Sequence, residues 1–404
     1  MSKIKYSDIV AAQAVLKGVI KETPLQPSKT FSTLGDCQAF LKFENLQNTG
    51  SFKVRGAYNK IFRLSDEEKK RPVVAASAGN HAQGVAYSSK VLGLKSTIVM
   101  PAFTPPLKVL ATKSYGAEVI LTGNNFDEAY STSQQYCKEH NATYIHPFDD
   151  PMIIAGQGTV GIELFHQMSD VDMVVVPIGG GGLIGGVAIA LKTLNPNIKV
   201  IGVEAEGAAS MFASRKENRV VGIPHVDTIA DGIAVKTPGE MTFNLVQEYV
   251  DDIVTVNDAE IANATYLLLQ RAKTLAEPSG AAAVAALIYK KYNFAGKKVV
   301  PIISGGNINM TLLEQIVEQG MMDEGLRKTI RIIMPDKPGE LNKITALFDS
   351  LKISIQDIEH VRSINSVPIG KVMVIITVNL KDKEQMPEIE KGITEHGFTV
   401  KVLG

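Results

Sequence analysis

From residue 40 to about 315 the chain alternates short apolar, β-branched runs with stretches of helical periodicity. Seven runs read as strands: Phe40–Glu44, Val73–Ser77, Thr97–Met100, Glu118–Thr122, Met173–Ile178, Lys199–Glu204 and Val299–Ser304. Several are apolar at every position, as strands covered on both faces by helices should be. The repeated strand–helix–strand order predicts an α/β fold with largely parallel sheets.

The pattern changes near Glu318, where EQGMMDEGLRK is polar and reads as a flexible linker over 318–328. Beyond it come a strand (Thr329–Met334), a turn at Asp336 to Gly339, a helix to about Leu351, strands Ser354–Arg362 and Lys371–Leu380, a helix (Lys383–Glu395) and a strand (Phe398–Leu403). That order is βαββαβ, the ferredoxin-like unit. The chain thus divides into a larger part over 1–317 and a small separate domain over 329–404.

Charge narrows the partners. Lys and Arg total 42, as do Asp and Glu, and the balance holds in the tail as well as before it. No basic face fit for nucleic acid or anionic lipid is expected. Two cysteines, Cys37 and Cys137, exclude a disulfide framework and every CxxC motif. The start MSKIKYSDIV lacks the layout of a secretion signal, and Ser7 reads as a helix cap, so a cytoplasmic location is expected. Met173 to Leu191 carries no charge over 19 residues, yet Pro177 and six glycines would break a membrane helix, and a strand, loop and buried helix are expected there. Glycine is uneven. Of 34, only five follow residue 326, which points to backbone shape in the first part.

Three predicted strands end alike. They run into Ser77-Ala78-Gly79-Asn80-His81, into Gly179-Gly180-Gly181-Gly182-Leu183, and into Ser304-Gly305-Gly306-Asn307. Small polar turns at the carboxyl ends of parallel strands line the ligand crevice of α/β proteins. The four-glycine turn ahead of a helix reads as a phosphate cradle. It also satisfies a dinucleotide fingerprint through Gly180, Gly182 and Gly185, with Glu204 ending the next strand. The loop alone does not choose between cofactors. Lys53 does. It stands in the first turn of a helix predicted to end near Leu64, where the helix dipole and nearby Arg55 both favour the neutral amine that Schiff-base chemistry needs. A phosphate cradle with such a lysine points to pyridoxal phosphate.

Together, Ser51-Phe52-Lys53-x-Arg55-Gly56-Ala57, the 77–81 loop, Gly179–Leu183, Glu277-Pro278-Ser279-Gly280-Ala281 and Ser304–Asn307 resemble the fold-type II pyridoxal-phosphate enzymes. The threonine dehydratases resemble the chain most, over roughly residues 5–320, and Asp231-Gly232-Ile233-Ala234-Val235 looks like their version of that segment. The resemblance implies a tryptophan synthase β-like fold of two subdomains, the smaller set in at about 48–146. It implies that Lys53 carries the cofactor and removes the Cα proton. It places the phosphate on Gly179, Gly180, Gly181, Gly182 and Leu183, the ring hydroxyl on Asn80, a ring face on Phe52, and the pyridine nitrogen on Ser304. A neutral hydroxyl at Ser304 would make a weaker electron sink, suited to expelling a β-hydroxyl. Ser51, Ser77, Gly79 and His81 would receive the substrate carboxylate, and Glu277 would lie near the substrate. For His81 a plain helix start, and for Glu277 a structural acid before Pro278, are equal readings. The implied reaction takes L-threonine to 2-oxobutanoate and ammonia, and L-serine to pyruvate. No metal is assigned.

Asp336-x-Pro338-Gly339-x-Leu341 resembles an ACT domain, a common amino-acid sensor. It implies allosteric control by a small amino acid, isoleucine or valine first, near Gly339, Leu341 and Asn342, and assembly as a homotetramer or homodimer. Three competing readings stand beside this one. They are a nicotinamide dehydrogenase using the glycine loop and Glu204, a serine or threonine racemase of the same fold, and a non-catalytic sensor built on the tail. Related serine racemases carry a serine where Ala78 stands, and alanine cannot move a proton.

Overall fold

The computed structural model describes residues 4–362 and 367–403. Its strands are β1 (Leu25–Pro27), β2 (Gln38–Phe43), β3 (Val73–Ala76), β4 (Ser96–Met100), β5 (Glu118–Leu121), β6 (Thr143–Tyr144), β7 (Met173–Pro177), β8 (Lys199–Ala205), β9 (Asp252–Val256), β10 (Lys298–Ile303), β11 (Arg327–Pro335), β12 (Ser354–Val361), β13 (Lys371–Asn379) and β14 (Thr399–Val402).

The first unit, to Asn309, holds two sheets. The larger runs β1-β2-β10-β7-β8-β9 and is parallel except for β1, which pairs antiparallel with β2. The smaller runs β5-β4-β3-β6 and is parallel throughout. Strands β3, β4 and β7 are buried at every residue, which is why they read as continuous apolar runs. Strands β1, β6 and β9 were not expected. The first two are three and two residues long, and β9, at the sheet edge, mixes exposed, half-buried and buried positions without alternation. Such strands carry little periodicity.

Helices Pro151–Gln167 and Gly182–Leu194 cross at glycine. A Cβ on Gly186 would lie 2.4 Å from the Ile154 carbonyl, and one on Gly158 would lie 2.8 Å from that of Gly186. A Cβ on Gly156 would meet the Arg55 carbonyl at 2.5 Å. Glycine therefore serves helix contact as well as turns. The segment 173–191 is β7, the glycine loop and most of the second helix, and no described helix is long and apolar enough to cross a membrane. Helix Tyr6–Leu16 starts one residue before Ser7. Its capping bond runs from the Lys5 N–H to the Asp8 carboxylate (2.8 Å), so Ser7 is not the cap.

The second unit begins at Met310 with helix Met310–Asp323, which fills the first half of the expected linker; β11 fills its end, so only a short turn remains. The rest is βαββαβ with an antiparallel sheet ordered β12-β13-β11-β14. Helices Glu340–Ser350 and Gln385–Glu395 cover it, with Ile330, Val374, Phe348 and Ile389 in its core. The tail has the predicted ferredoxin-like order.

Candidate active site

Lys53 opens helix Lys53–Phe62, and its side chain is half-buried. Nζ donates to the Pro147 carbonyl at 2.9 Å and lies 5.4 Å from the centre of the Phe52 ring. Burial lowers its pKa to about 8, with Glu277 pulling the other way. Arg55 does not produce the shift. Its guanidinium binds Glu44 at 2.7 and 2.8 Å and Glu163 at 2.9 Å, so its charge is neutralised on the spot. The sign of the Lys53 shift has a measurable consequence. Only the neutral amine attacks an aldehyde, so pyridoxal phosphate capture by apoenzyme should rise roughly tenfold per pH unit up to about pH 8 and level off above. Stopped-flow absorbance checks it.

Four loops are stitched around that lysine. Ser51 and Gly305 form an isolated β-bridge, and the Phe52 N–H donates to the Ser304 carbonyl at 3.2 Å. The Gly306 N–H donates to the Gly50 carbonyl at 2.9 Å, and the Glu277 N–H to that of Gly305 at 3.0 Å. Asn307 Nδ2 donates to the Thr49 carbonyl (2.8 Å) and to Asn80 Oδ1 (2.6 Å), and Asn80 Nδ2 donates to Glu277 Oε1 at 2.5 Å. Gly305 is required here, since a Cβ would fall 2.3 Å from Glu277 Oε1 and 3.0 Å from Asn80 Nδ2. One Nδ2 hydrogen of Asn80 remains for another acceptor. Burial, then Asp231, raises the Glu277 pKa to about 7, with the Asn80 bond opposing.

The glycine loop faces the same lysine through one short segment. Gly181 adopts φ +88°, open to glycine at little cost, and caps helix Gly182–Leu194. The first N–H groups of that helix have no partner within it. A Cβ on Gly180 would sit 2.2 Å from the Phe148 ring, and Thr242 Oγ1 donates to the Gly180 carbonyl at 2.6 Å. Phe148 adjoins Pro147, the Lys53 acceptor. His146 Nδ1 holds the turn by accepting the Phe148 and Asp149 N–H groups at 3.3 and 2.8 Å. Asp149 Oδ1 accepts the Thr242 N–H at 3.0 Å. Pro147, Phe148, His146, Asp149 and Thr242 were all missed from sequence. His146 to Asp149 follow the very short β6, and no spacing marks them.

The residues fit pyridoxal phosphate. Thr49 Oγ1, Ser51 Oγ and Ser279 Oγ are buried without a partner, and such groups are costly unless something meets them. They flank the half-buried Lys53 amine and a loop whose glycines leave no room for side chains. Ser304 and Leu183 are buried, while Ser77 and Gly79 are half-buried, with the Gly79 N–H donating to Ser77 Oγ at 3.2 Å. The His81 ring turns elsewhere. Its Nε2 donates to the Ile145 carbonyl at 2.9 Å, and burial, then Lys53, lowers its pKa to about 3, so it stays neutral. The ring ties the start of helix Asn80–Val91 to the segment after β6, and its Nδ1 is buried without a partner. Glu204 does not face a crevice either. Its buried carboxylate accepts the Met211 and Phe212 N–H groups at 2.9 and 2.7 Å, which removes it from a dinucleotide ribose. In the second unit, Gly339 (φ +88°) precedes helix Glu340–Ser350, with Leu341 half-buried and Asn342 exposed.

Comparison with known proteins agrees with the geometry. The family model described as pyridoxal-phosphate dependent enzyme matches residues 16–305, and the ACT domain model matches 328–391. The L-threonine ammonia-lyase of Thermotoga maritima is 46% identical over 401 residues, 99% of this chain and 100% of its own. Threonine deaminase isoform 2 of Solanum lycopersicum superposes with a TM-score of 0.74 at 40% identity, covering 78% of this chain and 87% of that one. Maize serine racemase gives 0.75 at 34%, covering 80% and 99%. The chain belongs to the pyridoxal-phosphate dependent enzymes, in the threonine ammonia-lyase group, and carries a C-terminal ACT domain.

Proposed function

We propose that the chain expels the β-hydroxyl of L-threonine as water and that hydrolysis of the released enamine takes a water up again and frees ammonia, giving 2-oxobutanoate, and that L-serine goes to pyruvate by the same steps. The observation that carries this is Lys53, a half-buried amine whose pKa is lowered toward the neutral form, with the glycine loop and the unpartnered hydroxyls of Ser51 and Thr49 beside it. The relatives named above as threonine ammonia-lyase and threonine deaminase support it.

Pyridoxal phosphate, when bound, supplies the electron sink that makes the substrate Cα proton removable. Gly179 to Leu183 would hold its phosphate through backbone N–H groups, Phe52 would cover a ring face, Ser304 would meet the ring nitrogen, and the free Asn80 N–H would serve the ring hydroxyl. Lys53 Nζ would hold the cofactor and, once displaced by the substrate amine, would be the group to take the Cα proton. Ser51, Ser77 and the Gly79 backbone bind the substrate carboxylate. Glu277, protonated up to about pH 7 by burial, donates in place of repelling that carboxylate. Ala78 offers no group to return a proton to the opposite face, which favours elimination over the racemisation named for the maize relative.

The ACT domain supplies a binding unit for a small regulatory amino acid. We place isoleucine or valine at Gly339, Leu341 and Asn342, where a helix N-terminus follows a positive-φ glycine. A cytoplasmic homotetramer or homodimer fits two free cysteines and zero net charge. One assay tests the reading. Initial rates of 2-oxobutanoate formation should be measurable from threonine and should change on adding isoleucine or valine. No ketoacid from holoenzyme would overturn the activity, and rates indifferent to both amino acids would overturn the effector.

A further inference from the structure

The ion pair between Lys108 and Asp231 has no part in the chemistry above, yet it spans the site. Helix Pro106–Ser114 follows β4, an inner strand of the small sheet, and the loop with Ser77 and Gly79 leaves β3 beside it. Only Thr112 of this helix is buried; Leu107 and Leu110 are 63% and 61% exposed. Its own sheet holds it loosely. Lys108 Nζ nonetheless reaches Asp231 Oδ2, 2.5 Å away beside the large sheet.

Asp231 opens the turn Asp231–Ile233, and the next two residues wall both halves of the site. A Cβ on Gly232 would lie 2.8 Å from Ser279 Oγ and 3.5 Å from Glu277 Oε1. Ile233 Cα lies 3.0 Å from where a Gly179 Cβ would stand. The segment between Glu277 and the glycine loop is therefore the one gripped from across the cleft. Asp231 and Lys108 also act on Glu277 with opposite signs.

We propose that Lys108 and Asp231 form a latch that closes the cleft over a bound amino-acid substrate, making both positioning residues for Glu277 and the 231–233 wall. The idea rests on the lyase reading. The pair is partly exposed, Asp231 at 61% of its side chain, and such pairs are weak enough to break and re-form at each turnover. Closure keeps water from the reacting centre and completes the wall around the substrate.

The test compares holoenzyme with Asp231→Asn, Lys108→Met, the double variant and Lys108→Arg. Each of the first two should raise the threonine KM about tenfold, mid-range for coupling between residues in contact. The fall in kcat should be smaller, and the cofactor absorbance and thermal midpoint should match wild type. The double variant should be no worse than either single one, and Lys108→Arg should behave as wild type. Amide hydrogen exchange adds a readout that needs no turnover. L-alanine, which has no β-hydroxyl to lose, should slow exchange across residues 106–114 in wild type and leave it unchanged in Asp231→Asn. Additive KM effects, or equal protection in both proteins, overturn the latch. If wild type makes no ketoacid but shows the protection, the lyase reading falls and the latch stands.

Discussion

Lys53→Ala should abolish ketoacid formation, lowering turnover by more than about four orders of magnitude. General-base catalysis alone contributes about 10²–10⁴-fold, and the same nitrogen also attaches the cofactor. The fold should survive. The amine makes one hydrogen bond, to the Pro147 carbonyl, and desolvation already disfavours its charge. Losing that bond and that desolvation penalty together should shift stability by about 1 kcal/mol or less. Far-UV circular dichroism and a thermal melt check the fold, and discontinuous ketoacid assay checks the chemistry. A small primary amine added to the variant should restore part of the activity, since the cavity left behind is lined for an amine. Retained turnover above about one per cent of wild type would remove Lys53 as the base.

How the site was legible in sequence follows from what each residue does. Lys53, the glycine loop and Ser304 to Asn307 lie at strand-to-helix junctions, where small and polar residues interrupt apolar runs, so composition marks them. Asn80 stands in the same kind of junction, but Glu277 lies between two helices, and their 2.5 Å bond joins residues 197 apart and has no sequence signature. The 146–149 turn is less visible still. It acts through the Pro147 carbonyl, a histidine accepting N–H groups and a ring filling the space over Gly180, and backbone carbonyls leave no trace in composition. Glycine was half understood. Its weight in the turns was read correctly, but Gly156, Gly158 and Gly186 serve to bring helix backbones together, a use that shows only once the partners are known. In the fold, β3, β4 and β7 were readable because they are buried on both faces, while β1, β6 and β9 were too short or too mixed to carry a period.

Arg55→Met should cost about 3–5 kcal/mol, the usual penalty for breaking a buried pair by removing one partner. The sequence placed Arg55 beside Lys53 as a repelling charge, but the structure turns it into a cluster with Glu44, Glu163 and Lys42. Lys42 Nζ donates to Glu163 at 2.6 Å and to the Thr23 carbonyl at 2.8 Å, and Thr23 Oγ1 donates to Glu44 at 2.5 Å. Two cations meet two carboxylates with Arg55, Lys42 and Glu44 fully buried, so methionine in place of arginine leaves Glu44 without its counter-charge. The loss should depend on pH in a fixed direction. Burial would raise the Glu163 pKa, but Arg55 and Lys42 outweigh it and hold the carboxyl below its ordinary value of 4.5. A depressed carboxylate adds stability above its unfolded pKa, and that stability is lost as pH falls through the folded one. The gap between wild type and Arg55→Met should therefore be widest near neutrality and narrow below about pH 4.5, as urea midpoints at pH 7 and pH 4 would show. A gap that is small at pH 7, or that grows on acidification, would mean the cluster is not held by its charges. Activity should fall further than stability explains, because Arg55 lies two residues beyond Lys53 on the same first turn. Glu44 follows directly on β2, beside β10, so its grip on Arg55 sets where that turn begins relative to Ser304.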